Sequence, residues 1–417
     1  MTRRVVITGI GVLSAAGSLD AFWPSVLEGR SPVRRVDRFD ASAFRSQVAA
    51  QVDDFDPLDH MDARSARALD RFSQFGLAAG KAAMADAGLA PGADGGAHPQ
   101  RIGIFLGSAL GGIAFAEAQH ERYLERGIRS VAPTLALAVF GGAAPANLGI
   151  ALDVRGPILS TANSCASGSV AIGEALGAIR AGEIDAAIAG GVECPLSPLA
   201  FGAFDIIRAL GHGHNGDPTH AARPFDRGRD GFVMGEGAGL LVLEAAEVAE
   251  RRGVRPYAEL MGYGASSDAH HMVQPRADGS EAARAVVTAL EDARVDRDDV
   301  DYVNAHASST PIGDVAEARA LARVFGERLA TIPVSATKAL TGHPLGATGA
   351  IEAAICALAI RDGIVPATVN LESPDDEIAE LLPCLVRTPL RGSYRRVLST
   401  SFGFGGLNAA LVLGAPA

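Results

Sequence analysis

Short apolar runs alternate along the chain with longer alanine-rich stretches that carry apolar side chains at helical spacing. The short runs contain β-branched residues and are bounded by glycine, proline or polar residues, a pattern typical of buried strands. Strands that alternate with helices indicate an α/β protein in which helices cover a sheet. The pattern predicts strands at 5–8, 102–106, 157–159, 186–189, 240–243, 300–303, 332–334 and 409–413.

A weak internal repeat indicates that this architecture is duplicated. Residues 168–182 (GSVAIGEALGAIRAG) and 349–363 (GAIEAAICALAIRDG) superpose at an offset of 181 positions, with the terminal glycines and an Ile-Arg pair in register. Each segment also follows a predicted strand and a turn of small residues, so the predicted secondary structure repeats as well as the residue identities. We therefore predict two related halves, residues 1–255 and 256–417.

Composition narrows the range of partners. The 417 residues suffice for a large buried core, and 48% hydrophobic with 20% charged residues exclude a disordered or fibrous chain. Lys and Arg total 37 against 48 Asp and Glu, a net charge of −11. This balance argues against a general nucleic-acid binder, and an acidic partner would need a local basic patch.

Cysteine usage and the chain's start predict a cytoplasmic protein. The four cysteines, at 165, 194, 356 and 384, include no CxxC pair and are too few for a disulfide scaffold. Two arginines lead directly into a predicted strand, without the apolar region of a signal peptide. The longest uncharged stretch, 130–152, is interrupted by proline and glycine, so we predict a buried or subunit-contact helix and no membrane span.

Cys165 is the candidate nucleophile. It lies in STANSCASG, between the predicted strand 157–159 and the helix of the first repeat. Backbone N–H groups and the helix dipole at such a position favour thiolate over thiol. The ordinary alternative for a lone cysteine is a small buried residue, and the other three cysteines keep that interpretation.

Two histidines follow predicted strands in loops of small polar residues. His306 lies in NAHASSTP after strand 300–303, and His343 lies in KALTGHPLG before the second repeated helix. Active-site groups of α/β proteins commonly occupy such positions. Each histidine alone is compatible with a structural role, but with Cys165 and Lys338 they form a candidate nucleophile and acid/base set.

Other motifs do not support a nucleotide cofactor or a resident metal. The GIG at 9–11 has Ser14 where a dinucleotide fingerprint needs its third glycine, and the GFGG at 403–406 lacks the Lys-Ser/Thr of a phosphate loop. Histidines at 212, 214, 220, 270 and 271 form neither HExxH nor a zinc-spaced cluster. We expect glycines 403–406 to permit a mobile or closely approached turn.

The assembled motifs resemble those of the β-ketoacyl-acyl carrier protein synthases, particularly the elongating type II enzymes and their polyketide relatives. The matching motifs span the chain in order: VVITGIGVLSAAG near the start, SCASGS around Cys165, RPFDRGRDGFVMGEGAG at 223–239, NAHASSTPIGD at 304–314, KALTGHPLGATGA at 338–350 and SFGFGGLN at 401–408. The resemblance implies a thiolase fold, with two duplicated halves in a five-layered αβαβα arrangement. It also implies a dimer, usually a homodimer.

The resemblance implies a decarboxylative condensation. Cys165 would accept an acyl group from the phosphopantetheine thioester of an acyl carrier protein, so no separate cofactor is expected. His306 and His343 would bind the malonyl thioester, support its decarboxylation and stabilise the enolate, a task suited to two neutral imidazole donors. Attack on acyl-Cys165 would then extend a fatty-acid or polyketide chain by two carbons.

Further roles follow from the same resemblance. Lys338 and its carboxylate partner Glu352 would order the site. The backbone amides of Cys165 and Phe404 would form the oxyanion hole, and the Phe404 ring would gate the acyl pocket. The implied substrate-binding residues are Ser308 and Thr310 for the pantetheine arm, Leu110 for the depth of the acyl pocket, Phe402 and Glu352.

Three arginines match positions at which relatives dock the acidic carrier protein: Arg64, Arg67 and Arg208. Surface arginines commonly only solvate a face, which is the alternative for all three.

Three other positions depart from the usual family pattern: Ala307 stands in the common HGTST motif, and Leu407 and Val273 stand where threonine is frequent. These departures leave Cys165 and both histidines intact but bear on substrate and gating, and they favour a specialised polyketide or fatty-acid pathway.

Two other functions fit the residues less well. A catalytically silent subunit of a ketosynthase heterodimer, which sets chain length, typically lacks the nucleophile that Cys165 provides here. A degradative thiolase pairs two cysteines with one histidine, whereas Cys384 lies outside the corresponding motif. The sequence leaves open the length, branching and saturation of the acyl group, the pathway, and the choice between a homodimer and a heterodimer.

Overall fold

A computed structural model describes residues 3–92 and 97–416, and it contains one mixed sheet to which each half contributes five principal strands. The strands of the first half are β1 (Val5–Ser14), β2 (Ile102–Gly107), β3 (Ile158–Thr161), β4 (Ala186–Glu193) and β5 (Gly237–Ala245). Those of the second half are β6 (Ala258–Ser267), β7 (Tyr302–Asn304), β8 (Val334–Ser335), β9 (Arg396–Gly403) and β10 (Leu407–Gly414). Short strands also occur at Gly17–Ser18, Arg34–Arg35, Val48–Ala49, Ile364–Val365 and Leu390–Arg391.

Helices cover this sheet in both halves. The first half contains α1 (Leu19–Glu28), α2 (Ala63–Ala68), α3 (Arg71–Asp86), α4 (Ile113–Arg126), α5 (Leu135–Ala138), α6 (Ala143–Leu152), α7 (Ser167–Arg180), α8 (Pro198–Ile206) and α9 (Ala246–Arg252). The second half contains α10 (Ser280–Ala293), α11 (Gly313–Phe325), α12 (Lys338–Thr341), α13 (Thr348–Asp362) and α14 (Asp376–Leu381). Within the described ranges, no helix has the length and apolar character that crossing a bilayer requires.

The two halves share one strand order. From the outer edge inward the order is β3-β2-β4-β5-β1 in the first half and β8-β7-β9-β10-β6 in the second, the same sequence of third, second, fourth, fifth and first strand. The halves meet where β1 pairs with β6 through two residue pairs. The predicted duplication is confirmed, while the boundary after residue 255 stays a prediction that falls in the connection between α9 and β6. Residues 1, 2 and 417, the chain ends that the two predicted halves include, lie outside the described residues.

Five layers follow from the packing of the helices. The two repeated helices, α7 and α13, contact strands of both halves and form the central layer. On the outer faces, α3 and α6 cover the first half, and α10 and α11 cover the second. Each strand layer is therefore buried on both sides, as its continuous apolar runs require. This is the predicted αβαβα arrangement.

Glycines in the first strand of each half allow the outer helix to pack closely. A Cβ atom at Gly11 of β1 would lie 2.0 Å from the carbonyl oxygen of Ala79 in α3, and one at Gly264 of β6 would lie 2.2 Å from that of Ala285 in α10. Since no side chain fits at such a distance, both strands need glycine there. The GIG motif therefore serves helix packing, in agreement with the absence of a complete dinucleotide fingerprint.

We expect Gly11→Ala to destabilise the protein because the new methyl group would force β1 and α3 apart. Overpacking of this kind typically costs about 1–3 kcal/mol of unfolding free energy. Gly177→Ala is the matched control, since no atom lies within 4 Å of its added Cβ in α7, and alanine is favoured over glycine in a helix. Urea unfolding should show a lower midpoint for the first variant only; equal midpoints would contradict the packing argument.

The uncharged segment 130–152 does not form the single helix predicted from its composition. It divides into α5 and α6, with glycines 141 and 142 between them. Leu137 and Ile150 are 69% and 82% exposed, so the chain by itself does not bury them, and the subunit contact stays a prediction. Two strands were also missed, because β6 contains glycines and no β-branched aliphatic residue, and β9 is half polar.

Candidate active site

Cys165 occupies a tight turn between β3 and α7. Residues Ser164–Ala166 form one turn of 3₁₀-helix, and α7 begins at Ser167. Ser164 has a φ of +52°, in the left-handed region that non-glycine residues rarely adopt. This backbone conformation places the Cys165 side chain at the start of the central helix, as predicted, with only 6% of the residue exposed.

A cavity of about 610 Å³ lies beside the cysteine. Predicted site residues from both halves line it: Cys165, His306, His343, Leu110, Ser308, Thr310, Phe402, Phe404 and Arg208. The hydroxyl oxygens of Ser308 and Thr310 are 3.1 Å apart, so both face the same part of the cavity. Two positions that depart from the family pattern, Val273 and Leu407, also line it and make that wall more apolar.

The sulfur and the two imidazoles form one compact cluster. Sγ of Cys165 lies 3.0 Å from Nε2 of His343. The rings of His306 and His343 meet edge to face with centroids 5.4 Å apart. The sulfur and a nitrogen from each ring all lie within 4.8 Å of one another. The cysteine comes from the first half and the histidines from the second, so the cluster forms where the halves meet.

Burial sets the protonation of this cluster. It raises the pKa of the Cys165 thiol to about 11, although a hydrogen bond from Ser164, the charge of Lys338 and the backbone N–H of Phe404 act in the opposite direction. Burial and the charge of Lys338 also hold the pKa of both imidazoles well below the usual range. Burial therefore acts against the thiolate that the helix start favours, and it keeps the imidazoles in the neutral form that their predicted donor role requires.

Lys338 lies behind the histidines. Its ammonium group is 2.6 Å from Oε1 of Glu352 and also donates a hydrogen bond to the backbone carbonyl of His306. All three groups are buried. Burial raises the pKa of Glu352 to about 7 against the opposing effect of Lys338. The predicted Lys-Glu pair is thus present, and its contact is with the backbone of His306 and not with the sulfur.

Glu317 was not predicted and holds the same loop from the other side. Its carboxylate accepts the backbone N–H groups of His306 and Ala307, at 2.8 and 2.6 Å, and the hydroxyl of Thr400 at 2.6 Å. The side chain is buried on α11. Because a buried carboxylate needs several donors, this one strongly restricts the loop. The available sequence signal was an acidic residue directly flanked by two alanines on a helix.

Glu193 joins the acyl side of the cavity to the His343 loop. It ends β4 and accepts hydrogen bonds from the backbone N–H groups of Ala109, Leu110 and Gly346, at 2.6, 3.1 and 3.0 Å. The hydroxyl of Ser108 adds a fourth bond at 3.0 Å. Sequence reasoning missed this residue, although a single acid at the end of an apolar strand indicates a buried polar role.

The motif at 223–239 supports the loop that carries Ser308 and Thr310. The Arg229 guanidinium donates to the backbone carbonyls of Thr310 and Pro311, at 3.1 and 2.8 Å, and pairs with Asp375 at 3.0 Å. Only a few per cent of Arg229 is exposed. The motif therefore acts as a scaffold for one wall of the cavity, a role that spacing along the chain does not reveal.

The GFGG segment forms the turn that its glycines predicted. Gly405 and Gly406 have φ values of +83° and +69°, which favour glycine. The ring of Phe404 stacks on Phe204 of α8 with centroids 6.2 Å apart, and the N–H of Gly405 donates to the carbonyl of Met272 at 2.8 Å. Phe404 therefore stands between the sulfur, which its amide contacts, and the apolar part of the cavity.

The three predicted docking arginines are exposed but occupy two places. Arg208 follows α8 and lines the cavity. Arg64 and Arg67 lie on α2, which contributes no residue to the cavity lining in the described part of the chain. The structure therefore brings one of the three to the site itself.

Fold and site together define a class. A duplicated five-layered α/β fold that places a cysteine at the start of one central helix, facing two neutral histidines from the other half, is a thiolase-fold condensing enzyme. Comparison of the chain with family models identifies the family within this class. The chain belongs to the β-ketoacyl synthase family: the profile "Beta-ketoacyl synthase, N-terminal domain" matches residues 2–249, and "Beta-ketoacyl synthase, C-terminal domain" matches residues 257–372.

Individual relatives agree over the full length. The chain is 41% identical over 413 residues to 3-oxoacyl-[acyl-carrier-protein] synthase 2 of Vibrio harveyi, covering 98% of both chains. A solved type II polyketide synthase ketosynthase, in complex with its acyl-carrier protein and bound to the hexaketide, is 32% identical with a TM-score of 0.90. The solved ishigamide ketosynthase/chain length factor is likewise 32% identical to the chain, with a TM-score of 0.90. Both matches cover 100% of each chain.

Proposed function

We propose that this protein condenses an acyl group carried on Cys165 with a malonyl group presented on an acyl carrier protein. The observation that carries the proposal is the cluster of Cys165, His306 and His343, with sulfur and imidazole nitrogens within 4.8 Å at the wall of a cavity of about 610 Å³. A catalytically silent subunit has no need of this cluster. The phosphopantetheine arm arrives with the carrier protein, so no further cofactor is proposed.

In the first half-reaction, Cys165 takes the acyl group from its carrier. As the sulfur attacks the thioester carbonyl, the thiol proton passes to Nε2 of His343, 3.0 Å away, and then to the departing pantetheine sulfur. The backbone N–H groups of Cys165 and Phe404 stabilise the oxyanion. The acyl chain then extends along the apolar wall that includes Leu110 and Phe402, and Phe404 has to move aside for it.

In the second half-reaction, the malonyl thioester loses its carboxyl group. The bond from its α-carbon to the carboxylate breaks, carbon dioxide leaves, and the electron pair forms an enolate whose oxygen accepts hydrogen bonds from His306 and His343. The α-carbon then attacks the acyl-Cys165 carbonyl, the bond from that carbon to Sγ breaks, and the departing sulfur takes a proton from solvent. Neutral imidazoles suit this step because they donate without a competing charge, and Lys338 and Glu317 hold the backbone of His306 in place.

The substrate class is tested by intact-mass measurement of the protein after incubation with a panel of acyl carrier protein thioesters. We expect one acyl adduct per chain, located on Cys165 by peptide mapping. We also expect a preference for one acyl chain length, which shifts to longer chains in Leu110→Ala. A protein that remains unmodified by every thioester would instead be a silent subunit. The departures at Val273 and Leu407, both in the cavity lining, favour a preferred chain from a specialised fatty-acid or polyketide pathway.

The carrier protein docks, in our proposal, against Arg64, Arg67 and Arg208. These exposed cations stand on a chain of net charge −11, so an acidic carrier needs them to overcome repulsion. Ser308 and Thr310 then receive the pantetheine arm inside the cavity. The relatives support such a partner, since one is named for acyl-carrier-protein substrates and another was solved with its carrier.

We expect Arg67→Glu to weaken carrier-protein binding and to slow association most at low salt, where the Debye length is about 30 Å at 0.01 M. Turnover of a small soluble acyl thioester should be unchanged. Arg251→Glu makes the same charge change on the exposed α9 and serves as the control. Surface plasmon resonance at two ionic strengths measures the effect; equal loss in both variants would remove Arg67 from the docking site.

A dimer is proposed through the free edge of the first half. β3 is an edge strand with an exposed backbone side, and Ile158 and Leu159 on it are exposed near Ile150 of α6. An apolar edge strand of this kind pairs readily with another chain. Light scattering of the purified chain distinguishes the forms: a dimer supports a homodimer, and a monomer that dimerises only with a chain-length-setting homologue supports a heterodimer.

A further inference from the structure

The cluster of Cys165, His306 and His343 has the chemistry of a soft metal site. Zinc binds thiolate sulfur at about 2.3 Å and imidazole nitrogen at about 2.0–2.1 Å, so its ligand atoms lie roughly 3.3–3.7 Å apart. Here the Cys165 Sγ to His343 Nε2 distance is 3.0 Å, and all three candidate ligand atoms lie within 4.8 Å. Side-chain adjustments of about an ångström would bring the three onto one ion.

The placement of the imidazoles favours metal binding. Both rings are buried beside the sulfur, and one nitrogen of each ring lies within 4.8 Å of the other ligand atoms. Among the described residues, no hydrogen bond reaches the Nδ1 atom of either ring. A neutral ring has one N–H and one acceptor nitrogen, so metal binding uses the tautomer with its proton on the far nitrogen and excludes donation to an enolate while the ion is bound.

We propose that Cys165, His306 and His343 together bind one Zn²⁺ or similar soft divalent ion, which competes with acyl substrates for the sulfur. On binding, the thiol proton passes to solvent, the sulfur–metal bond and two nitrogen–metal bonds form, and the hydrated ion releases all but one of its waters. No electron transfer occurs. The fourth coordination position faces the cavity and keeps a water, and removing the ion with a chelator restores the free thiol.

Two measurements test this without turnover, so they are independent of the proposed condensation. Titration with Co²⁺ as a spectroscopic substitute should give a thiolate-to-cobalt absorption band that saturates at one ion per chain. In the second, Zn²⁺ should protect Cys165 from iodoacetamide: at ten times the Kd, alkylation slows about elevenfold, because only the metal-free fraction reacts. Peptide mass spectrometry gives the alkylation rate at each cysteine separately.

Matched variants locate the ion. His306→Ala and His343→Ala should each weaken Zn²⁺ affinity by about 100-fold or more, since loss of even an outer partner typically costs 10–100-fold. Cys384→Ala, which removes a partly exposed free thiol, should leave the cobalt band unchanged. Wild-type enzyme alkylated at Cys165 should lack the band, which controls for misfolded variants. Mg²⁺ should not protect the thiol, because it prefers oxygen ligands.

Three results would overturn the proposal. One is a wild-type cobalt spectrum without a thiolate band. Another is protection by Zn²⁺ that persists unchanged when both histidines are alanine, which would make the ion a ligand of the cysteine alone. The third is a band that disappears in Cys384→Ala, which would place the metal at that surface thiol.

Discussion

Replacing Cys165 by alanine is expected to abolish both acylation of the enzyme and condensation. No other cysteine can take its place, because Cys194 and Cys356 are buried away from the cavity and burial raises the pKa of both thiols. Cys165 alone has an imidazole nitrogen at 3.0 Å and an amide directed at the sulfur. Intact-mass analysis with an acyl carrier protein thioester should show no adduct, and product formation should fall to background.

Cys384→Ala is the control for this experiment. The Cys384 thiol of the wild-type chain is partly exposed. If acylation depended only on access to solvent, its removal would lower the amount of adduct. The control variant should acylate at the wild-type rate. Retention of an adduct in Cys165→Ala would disprove the assignment of the nucleophile, whichever residue carried it.

Alanine at His306 or His343 is expected to depress malonyl decarboxylation and condensation more than the loading of Cys165. Each change removes one neutral donor from the oxygen that becomes charged in the transition state, and such a loss typically costs roughly 10² to 10³ in rate. Release of carbon dioxide from a malonyl thioester, measured separately from acyl loading, distinguishes the two half-reactions. His343→Ala should also slow loading, because Nε2 of His343 is the nearest base to the sulfur.

His220→Ala provides the comparison, since His220 is a partly exposed residue outside the cavity lining that pairs with Asp217. It should decarboxylate at the wild-type rate. Unimpaired carbon dioxide release by the His306→Ala/His343→Ala double variant would show that both rings have only a structural role.

Local patterns in the sequence determined much of the fold. Strands β1, β2, β4, β5 and β10 were predicted because apolar runs of this kind satisfy a strand that is buried on both faces. The repeat at an offset of 181 positions predicted that α7 and α13 are equivalent, and both follow a 3₁₀ turn at the same offset. Strands β6 and β9 were not predicted, because glycine and serine have little strand preference and the strands that pair with β6 and β9 include distant parts of the chain.

The position of Cys165 at a helix start was likewise a property of the sequence, because it depends only on neighbouring residues. Tertiary structure decided the rest of the site. Cys165 and His343 are separated by 178 positions yet lie 3.0 Å apart, because two duplicated halves place corresponding helices side by side. Burial then acts against the local helix field and raises the pKa of the thiol. Glu317 and Glu193 acquire their roles only through donors brought from distant segments, and no spacing along the chain encodes which backbone N–H groups a buried carboxylate will meet.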